Sequence, residues 1–244
     1  MLLSIIIPVY NEQDLVCQLL TKLAGIDPGA GVSLEVVIVD DGSTDNTVER
    51  IQDFLKSQID RMRLIRHPEN LGKGAAVRTG IGDSNGEVVI IQDADLEYDP
   101  DDIRHVIAPI LSGKSRVVYG SRILREKALG RSGICGLITG KHPHSYVLAY
   151  LGGVAITRWV NFLSGAHLTD EPTCYKCFHR TAIEGLEITR DDFAWEPEIT
   201  MKILNKGIEI IEVPVSYHPR KRDQGKKINW KDGFKALWIA WKYR

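Results

Sequence analysis

Two aspartates separated by one alanine, Asp93-Ala94-Asp95, are the residues of this sequence best suited to hold a cation. They follow an apolar segment, and a third acid, Glu97, comes two residues later. Carboxylates crowded at the end of a strand repel one another and generally need a positive partner. Oxygen ligands without nitrogen or sulfur favour Mg²⁺ or Mn²⁺, with phosphate oxygens of a substrate completing the coordination. A polar turn at a strand end explains the same residues equally well.

A second acidic pair, Asp40-Asp41, also ends an apolar segment and is followed by Gly42. The glycine permits a sharp turn, and Ser43 or Thr44 is predicted to cap the helix that follows. In a dinucleotide-binding fold an acid at this place binds a ribose hydroxyl. However, the glycine fingerprint of NAD-binding proteins is absent after the first strand. We therefore favour contact with a nucleoside over hydride chemistry.

Apolar strands alternate with helices along the first 120 residues. The predicted strands are 4–9, 34–39, 63–67, 87–92 and 115–120, and the predicted helices are 14–23, 44–55, 75–81 and 103–111. This alternation predicts an α/β fold with a doubly wound, mostly parallel sheet. Ligands bind beyond the carboxyl ends of such strands, where the polar motifs fall. The second half is predicted to be less regular, with a helix at 199–204, a strand at 209–215 and a helix at 230–243.

The composition is that of an ordinary globular protein: 244 residues, 43% hydrophobic and 26% charged, with a formal net charge of −1. No secretory signal is visible at the start, and the apolar run 146–156 is shorter than the roughly 20 residues of a membrane span. The four cysteines form no secreted disulfide framework, and Cys174 and Cys177 form a lone C-x-x-C, which without a second pair argues against a zinc or redox site. These features predict a cytoplasmic protein.

Charge is strongly segregated along the chain. Residues 1–112 carry nine Lys and Arg against nineteen Asp and Glu, whereas residues 113–158 carry eight against one. Residues 214–244 carry nine against two. This pattern suggests an acidic centre that needs a cation and two basic segments that meet phosphates or a lipid surface. Solvated surface charge is the alternative, and no nucleic-acid partner is expected.

Five motifs occur in a fixed order over about 120 residues. They are Pro8-Val9-Tyr10-Asn11-Glu12, Asp40-Asp41-Gly42-Ser43-Thr44-Asp45, Asn70-Leu71-Gly72-Lys73-Gly74, Asp93-Ala94-Asp95-Leu96 and Gly120-Ser121-Arg122. Together they resemble the family 2 inverting glycosyltransferases with the GT-A fold. The later segments 193–198, 212–215 and 222–228 resemble the polyprenyl-phosphate (dolichyl-phosphate) mannosyl- and glucosyltransferases of that family. The resemblance covers nearly the whole chain and is weakest between residues 124 and 165.

The resemblance implies a single GT-A domain over residues 1–244. Within it, 1–122 would be the nucleotide-sugar-binding half, 123–228 an irregular acceptor-side half, and 229–244 an amphipathic terminal helix. The residues implied to hold the nucleotide sugar are Pro8, Tyr10, Glu12, Asp40, Asp41, Lys73, Asp93, Ala94, Asp95 and Arg222. Among them Asp93 would face the sugar and ribose, while Asp95, with Glu97, would bind Mg²⁺ or Mn²⁺. Arg222 and the metal would stabilise the leaving diphosphate.

The acceptor side is also implied by the resemblance. Arg122, Arg131 and Lys227 are expected to contact the phosphate of the acceptor. A phosphate is already an anionic nucleophile and needs no strong base. A hydroxyl acceptor needs one, for which Asp170 or Glu171 is the candidate. A charge pair in a loop is the alternative explanation of those two acids.

Two further features concern the acceptor and the membrane. His142 and His144 lie in a basic segment and suit contact with the acceptor phosphate or plain surface better than a metal site. Trp230, Trp238 and Trp241 alternate with lysines near the end of the chain. Tryptophan with lysine suits a membrane interface, and a helix that packs its tryptophans on the core is the alternative.

The predicted function is transfer of a hexose from a UDP- or GDP-sugar to a polyprenyl (dolichyl or undecaprenyl) phosphate. The enzyme would act as a peripheral protein at the cytoplasmic face of the membrane, and a homo-oligomer is left open. The main alternative is a family 2 transferase acting on a hydroxyl of a glycan or glycolipid in cell-envelope polysaccharide synthesis. A sugar nucleotidyltransferase would carry a glycine-rich basic loop where Pro8 to Glu12 stand. A non-catalytic protein that binds nucleotide sugars is the remaining alternative.

Overall fold

The structure is a computed structural model that describes residues 1–57, 61–130, 144–220 and 230–244. Seven strands form one sheet: β1 Leu2–Val9, β2 Ser33–Asp40, β3 Met62–Arg66, β4 Val88–Ile91, β5 Val117–Ser121, β6 Lys176–His179 and β7 Ile210–Pro214. The described helices are α1 Val16–Gly25, α2 Thr47–Ser57, α3 Lys73–Asp83, α4 Ile103–Leu111, α5 Arg122–Ala128, α6 His144–Ser164, α7 Arg180–Ile183, α8 Trp195–Asn205 and α9 Trp230–Lys242. A 3₁₀ turn, Pro100–Asp102, precedes α4.

The strand order is β3-β2-β1-β4-β6-β5-β7, and every neighbouring pair is parallel except the two pairs that involve β6. The central strands are continuous apolar runs because helices cover both faces of the sheet. All four residues of β4 are buried, as are Ile5, Ile6 and Ile7 of β1. The predicted α/β fold with a doubly wound, mostly parallel sheet is confirmed.

The strand β1 lies between β2 and β4, and this arrangement determines where a ligand can bind. The chain proceeds from β1 to β2 and β3 on one side, then returns to place β4 on the other side. Val9 pairs with Asp40, and Ile6 pairs with Ile91. The carboxyl ends of β1, β2 and β4 therefore meet at one edge. The strand order reverses between β1 and β4, which is the place where open α/β sheets form a binding crevice.

Three details of the chain differ from the sequence-based predictions. The helix α2 begins at Thr47, and not at residue 44, because Asp45 accepts hydrogen bonds from the amide and the hydroxyl of Thr47 at 3.0 and 2.5 Å. The strand β6 is only four residues long, so it left no clear pattern in the sequence. The helix α6 spans 21 residues in a part of the chain that we expected to be irregular, since Gly152-Gly153 interrupts its periodicity.

A small apolar cluster joins α6, α8 and α9 beside the main core of the sheet. It contains Val160, Leu168, Met201 and Ala240. The indole nitrogen of Trp159 donates a hydrogen bond to the carbonyl of Leu237 at 3.0 Å, which links α6 to α9. Within the described ranges no helix combines the length and the hydrophobicity that crossing a bilayer requires.

Candidate active site

The loops after β1 and β2 are joined by side-chain hydrogen bonds. Asn11 adopts a left-handed backbone conformation with φ of 50°, which asparagine tolerates better than most residues. Its side-chain oxygen accepts from the backbone amide of Thr44 at 2.8 Å, and its backbone amide donates to the hydroxyl of Ser43 at 2.9 Å. The amide of Glu12 donates to the hydroxyl of Thr47 at 2.9 Å. These bonds hold Glu12 at the edge of the sheet, next to the half-buried Tyr10.

The adjacent acids Asp40 and Asp41 have different surroundings. Asp41 accepts hydrogen bonds from His67 Nδ1 and from the amide of Gly72, both at 2.8 Å, so it anchors the loop that precedes α3. Asp40 accepts from the amide of Ser43 at 3.3 Å. The side chain of Asp40 has no exposed surface here. Its predicted contact with a nucleoside therefore requires neighbouring side chains to move.

Two glycines allow this loop to pack closely. Gly42 and Gly72 have φ of 72° and 107°, in a backbone region that residues other than glycine rarely adopt. A Cβ atom at Gly42 would collide with the backbone of Glu69, and one at Gly72 would collide with the carbonyl of Asp191. The loop therefore delivers Lys73, the first residue of α3, to a fixed position above the sheet.

Lys73 joins two carboxylates that are far apart in the sequence. Its Nζ lies 3.0 Å from Asp93 and 3.2 Å from Glu196, and 5.6 Å from the centre of the Phe193 ring. Burial opposes the charge of Lys73, but Asp93, Cys174 and Glu196 outweigh it and raise the pKa of the lysine. The result is a compact set of charged donors and acceptors, of the kind that hydrogen-bonds the hydroxyls of a sugar. The predicted residue Ala94 is buried beside Asp93.

The turn that contains Asp95 is strained. Asp95 Oδ1 accepts from the amide of Glu97 at 3.0 Å, and Leu96 between them has φ of 58°. A left-handed conformation at leucine costs free energy and is typical of functional turns. Burial, together with the like charges of Asp93 and Glu97, raises the pKa of Asp95 to about 7, although Arg220 opposes this shift. The positive charge of Arg220 therefore does not offset the burial and the like charges around this carboxyl group.

A basic residue that follows β7, Arg220, meets this acidic group. Its guanidinium donates to both oxygens of Glu12 at 2.9 and 3.1 Å and to Asp95 Oδ2 at 3.0 Å. The amide of Arg220 donates to Glu97 Oε1 at 2.8 Å, and the hydroxyl of Tyr217 donates to Glu97 Oε2 at 2.5 Å. Both oxygens of Glu97 thus hold the chain after β7 in place.

The acids fit a divalent cation only with help from a ligand. In the part of the chain that the structure describes, no three His, Cys, Asp or Glu side chains are grouped to hold a metal. Asp95 offers oxygen donors and is short of positive charge, which suits Mg²⁺ or Mn²⁺ when phosphate oxygens complete the coordination. The role of Glu97 as a ligand stays a prediction, since its carboxylate is engaged with Tyr217 and Arg220.

At the carboxyl end of β5, which lies at the same edge of the sheet as the ends of β1, β2 and β4, Arg122 and Asp170 form a closely matched pair. The amide and Nε of Arg122 donate to Asp170 Oδ2 at 2.8 Å, and Nη2 donates to Oδ1 at 2.7 Å. Nη2 also donates to the carbonyl of Pro172 at 2.8 Å. The guanidinium lies 5.0 Å from the centre of the Tyr217 ring. The arginine expected to contact an acceptor phosphate is therefore already engaged with the acid expected to act as a base.

Glu171 lies inside the protein, next to Lys176, and both side chains have no exposed surface. Lys176 Nζ is 3.6 Å from Glu171 Oε1, and the hydroxyl of Thr200 donates to the same oxygen at 2.9 Å. Burial raises the pKa of Glu171, although Lys176 opposes the shift. This position is at odds with the predicted role of Glu171 as a base that meets a hydroxyl acceptor.

The structure brings together most of the predicted residues on the donor side. Arg131, Arg222 and Lys227 lie outside the described residues, as does His142. The sequence reasoning missed the contributions of Lys176, Glu196, Arg220 and Glu212, the last of which accepts hydrogen bonds from the amides of Thr169 and Asp170 at 2.7 and 2.9 Å. Glu196 lies in the segment 193–198, whose resemblance to the polyprenyl-phosphate transferases could have marked it as a site residue. Nothing in the sequence distinguished Arg220 from the other cations of the same basic segment.

Solved structures of an enzyme from Mycobacterium tuberculosis share this architecture. The crystal structure of its glucosyl-3-phosphoglycerate synthase superposes with a TM-score of 0.70 at 15% identity, covering 99% of this chain and 80% of that one. This likeness establishes the shared fold, which is the GT-A fold of glycosyltransferases.

Relatives of known type are similar over most of this chain. A dolichol-phosphate mannosyltransferase of Pyrococcus furiosus is 28% identical over 228 residues, 93% of this chain and 59% of the relative. A dolichyl-phosphate beta-glucosyltransferase of Saccharomyces cerevisiae is 30% identical over 237 residues, 88% of this chain and 66% of the relative. This chain therefore spans less than two thirds of the length of these relatives.

The profile described as "Glycosyl transferase family 2" matches residues 4–151, which include most of β1, all of β2 to β5 and the acids at their carboxyl ends. That range is more than half of the chain, and it contains all five motifs that first indicated a resemblance. The chain belongs to glycosyltransferase family 2.

Proposed function

We propose that this chain transfers a hexose, with inversion, from a UDP- or GDP-hexose to the phosphate of a polyprenyl phosphate. The observation that carries this proposal is the pairing of both candidate bases, Asp170 with Arg122 and Glu171 with Lys176. A hydroxyl acceptor needs a free base, whereas a phosphate acceptor is an anionic nucleophile without one. Relatives in Pyrococcus furiosus and Saccharomyces cerevisiae are named for dolichyl-phosphate sugar transfer, which supports the same acceptor class.

The donor side of the site supports binding of a nucleoside diphosphate sugar. Pro8 and Asp40 stand near the carboxyl ends of the paired strands β1 and β2, and Tyr10 directly follows β1; we assign the nucleoside to these three residues. The ammonium group of Lys73 and the carboxylates of Asp93 and Glu196 would hydrogen-bond the hydroxyls of the sugar. The similar synthase of Mycobacterium tuberculosis has been crystallised with Mn²⁺ and UDP-glucose.

Asp95 is the residue that we assign to a divalent cation, together with oxygens of the donor diphosphate. A bound Mg²⁺ or Mn²⁺ would offset the negative charge that develops on the leaving diphosphate. The acidic block that contains Asp95 cannot serve this purpose itself, since its own charge repels phosphate. Transfer of the hexose is therefore expected to require Mg²⁺ or Mn²⁺.

The chemical step needs little from the protein beyond position and charge. An oxygen of the acceptor phosphate forms a bond to the anomeric carbon as the bond from that carbon to the diphosphate breaks. Attack from the face opposite the leaving group inverts the configuration. Asp93, Lys73 and Glu196 would hold the ring in the orientation that this attack requires.

The acceptor phosphate would be met by the basic segments of the second half. Residues 113–158 carry eight Lys and Arg against one Glu. The Nε and Nη2 atoms of Arg122 are engaged by Asp170, so contact of a ligand with these two atoms would require those bonds to rearrange. Arg131, Arg222 and Lys227 stay predicted contacts, because they lie outside the described residues.

We assign to the enzyme a peripheral position at the cytoplasmic face of a membrane, and the surface of α6 and α9 supports the contact with a membrane. Phe162, Phe234, Trp238 and Trp241 are exposed. An apolar groove of about 440 Å³ lies between the two helices, lined by Ala155, Trp159, Leu237, Trp238 and Trp241. Lys242 and Arg244 lie over the rings of Trp238 and Trp241, at 5.7 and 4.2 Å. Tryptophans with adjacent cations fit the headgroup region of an anionic bilayer.

The acceptor class is tested by following donor consumption and product formation. The full chain is incubated with UDP- and GDP-hexoses and Mn²⁺, with polyprenyl phosphate, with the free polyprenol, or with neither. We expect rapid transfer only with the phosphate and formation of a sugar phospholipid with inverted configuration. Equal transfer to the polyprenol would contradict the proposal and favour the hydroxyl alternative.

The membrane contact is tested by sedimentation with anionic and neutral vesicles. Replacing Trp238 and Trp241 by Ala should weaken binding to anionic vesicles by about tenfold or more, since each indole loses apolar burial. The matched control is Leu111→Ala, which removes an exposed apolar side chain from α4. Equal binding of all three proteins would contradict a membrane role for this surface.

A further inference from the structure

Arg220 occupies the position among the acids where positive charge is needed. Its two terminal nitrogens contact Glu12 and Asp95 at 2.9 to 3.1 Å, and its side chain is only 15% exposed. Its amide is held by Glu97 at 2.8 Å. A cationic side chain is therefore delivered to this acidic edge from a segment that follows the last strand of the sheet.

The balance of charge explains why the arginine stays there. Burial opposes the charge of Arg220, but Glu12 and Asp95 outweigh it and raise the pKa of the guanidinium. Lys73 is shared by Asp93 and Glu196, so it offers little to Asp95. Removing Arg220 would leave Glu12, Asp95 and Glu97, which are largely buried, without this counter-charge, and uncompensated buried charge is unfavourable.

The same contact obstructs a metal ion. Nη2 of Arg220 lies 3.0 Å from Asp95 Oδ2, the oxygen that a cation would approach to about 2.1 Å. A guanidinium and a divalent cation cannot share that oxygen without strong repulsion. Because Asp95 Oδ1 already accepts a hydrogen bond from the amide of Glu97 at 3.0 Å, the arginine and the cation compete for Oδ2.

We propose that Arg220 is a built-in counter-ion that holds the acidic edge in the donor-free protein and competes with the divalent cation for Asp95. The arginine leaves Asp95 when the cation arrives with the diphosphate of the donor. The donor-free protein consequently binds the metal weakly, and the metal is retained only together with the nucleotide. This inference depends on the proposed metal–diphosphate site and assigns a regulatory role to a residue of that site.

The competition is measured by titrating the full chain with Mn²⁺ at pH 8.5 and recording free Mn²⁺ by electron paramagnetic resonance, first without nucleotide. If the arginine occupies Asp95 for about nine tenths of the time, the apparent affinity for Mn²⁺ is lowered about tenfold. Arg220→Ala should therefore bind donor-free Mn²⁺ about tenfold more tightly than the natural chain. Arg220→Lys, which keeps the charge but not the paired donors, should lie between them.

Thermal unfolding gives a second measurement that does not depend on activity. Mn²⁺ should raise the melting temperature of Arg220→Ala more than that of the natural chain, because the cation replaces the lost counter-charge. If Arg220→Ala does not fold without metal, Mn²⁺ should restore its folding, and Arg220→Lys supplies the affinity comparison. The matched control is Arg63→Ala, which breaks contacts with Glu35 and Asp83 away from the acidic edge. Its Mn²⁺ affinity should equal that of the natural chain.

The possible failures are distinguishable. Mn²⁺ affinity that is unchanged or weaker in Arg220→Ala would overturn the competition, while binding of Mn²⁺ with UDP to the natural chain would leave the proposed function intact. No Mn²⁺ binding to any variant, even with UDP, would overturn the metal site itself and the inference with it.

Discussion

Asp95 and Asp170 each accept hydrogen bonds from an arginine, but the two pairs differ in the number of bonds. Asp170 accepts three hydrogen bonds from Arg122, one of them from its backbone, and its side chain is 5% exposed. Asp95 accepts one hydrogen bond from Arg220, and the same guanidinium also donates to Glu12. Asp95 is also surrounded by like charges that raise its pKa to about 7.

The difference separates an acid that stabilises the fold from one that is available for a ligand. The carboxylate of Asp170 has matched donors, so adding a cation or a proton would cost free energy. The single bond from Arg220 does not offset the like charges around the carboxylate of Asp95, so a cation from outside would lower its free energy. Charge alone does not identify a binding site; the number of donors already committed to each acid does.

The largest effect that the comparison predicts is on turnover. Asp95→Asn keeps the size of the side chain but removes the charge that would hold the metal and, through it, the leaving diphosphate. We expect kcat to fall by about a hundredfold to a thousandfold, as when a group that stabilises developing charge is lost. The measurement is steady-state transfer with Mn²⁺, with circular dichroism to verify folding. Full activity of Asp95→Asn, or of the natural chain in excess chelator, would show that Asp95 needs no cation.

For the second pair the expected effect is on stability. Arg122→Ala leaves Asp170 buried without its partner, and breaking such a pair costs about 3 kcal/mol in free energy of unfolding. Urea unfolding measures this loss. The control is Arg190→Ala, whose pair with Asp192 is more exposed and for which a loss below about 1 kcal/mol is expected. Equal losses in the two variants would mean that Arg122 and Asp170 are not a structural pair.

The donor side of the site could be predicted from the sequence because the end of a buried strand is recognisable as an apolar run that stops at polar residues. The apolar runs before Asp40 and Asp93 are buried on both faces, and each ends at an acid. Parallel strands bring such ends to one edge, so the proximity of Glu12, Asp40 and Asp93 followed from the order of elements. These residues lie where the α/β prediction expects them.

The partners of these acids could not be predicted from local pattern. Arg220 meets Glu12 across 208 residues of sequence, and any of several cations in the same basic segment had the charge to do so. The acceptor side depends on β6, a short antiparallel strand inserted between β4 and β5. Its insertion buries Glu171 and Lys176 against each other. Such choices depend on packing between distant segments, which composition and periodicity do not report.

A third prediction uses the raised pKa of Asp95 and is smaller. In the metal-free protein this group is protonated below about pH 7, whereas in the unfolded chain it ionises near its ordinary value of 3.8. The folded state thus holds the extra proton between these values, and the contribution of Asp95 to stability decreases as pH rises from about 4 to 7. A metal must displace that proton, so Mn²⁺ affinity should fall about tenfold per pH unit below pH 7. Titrations of Mn²⁺ with UDP from pH 5.5 to 8 measure this slope, and the same titrations with Asp95→Asn measure the part of it that the phosphate of UDP, whose second pKa is about 6, contributes by itself.

The smallest effect is expected at Glu171, and it decides between the two acceptor classes. Glu171→Gln keeps the size of the side chain and its bond with Thr200 but cannot accept a proton at neutral pH. If the acceptor is a phosphate, kcat should stay within about threefold of the natural value, whereas removing a general base typically costs about a hundredfold or more. The comparison is made by steady-state kinetics with polyprenyl phosphate, across pH 6 to 9. A large loss of kcat with an unchanged melting temperature would make Glu171 a base despite its burial, and the acceptor a hydroxyl group.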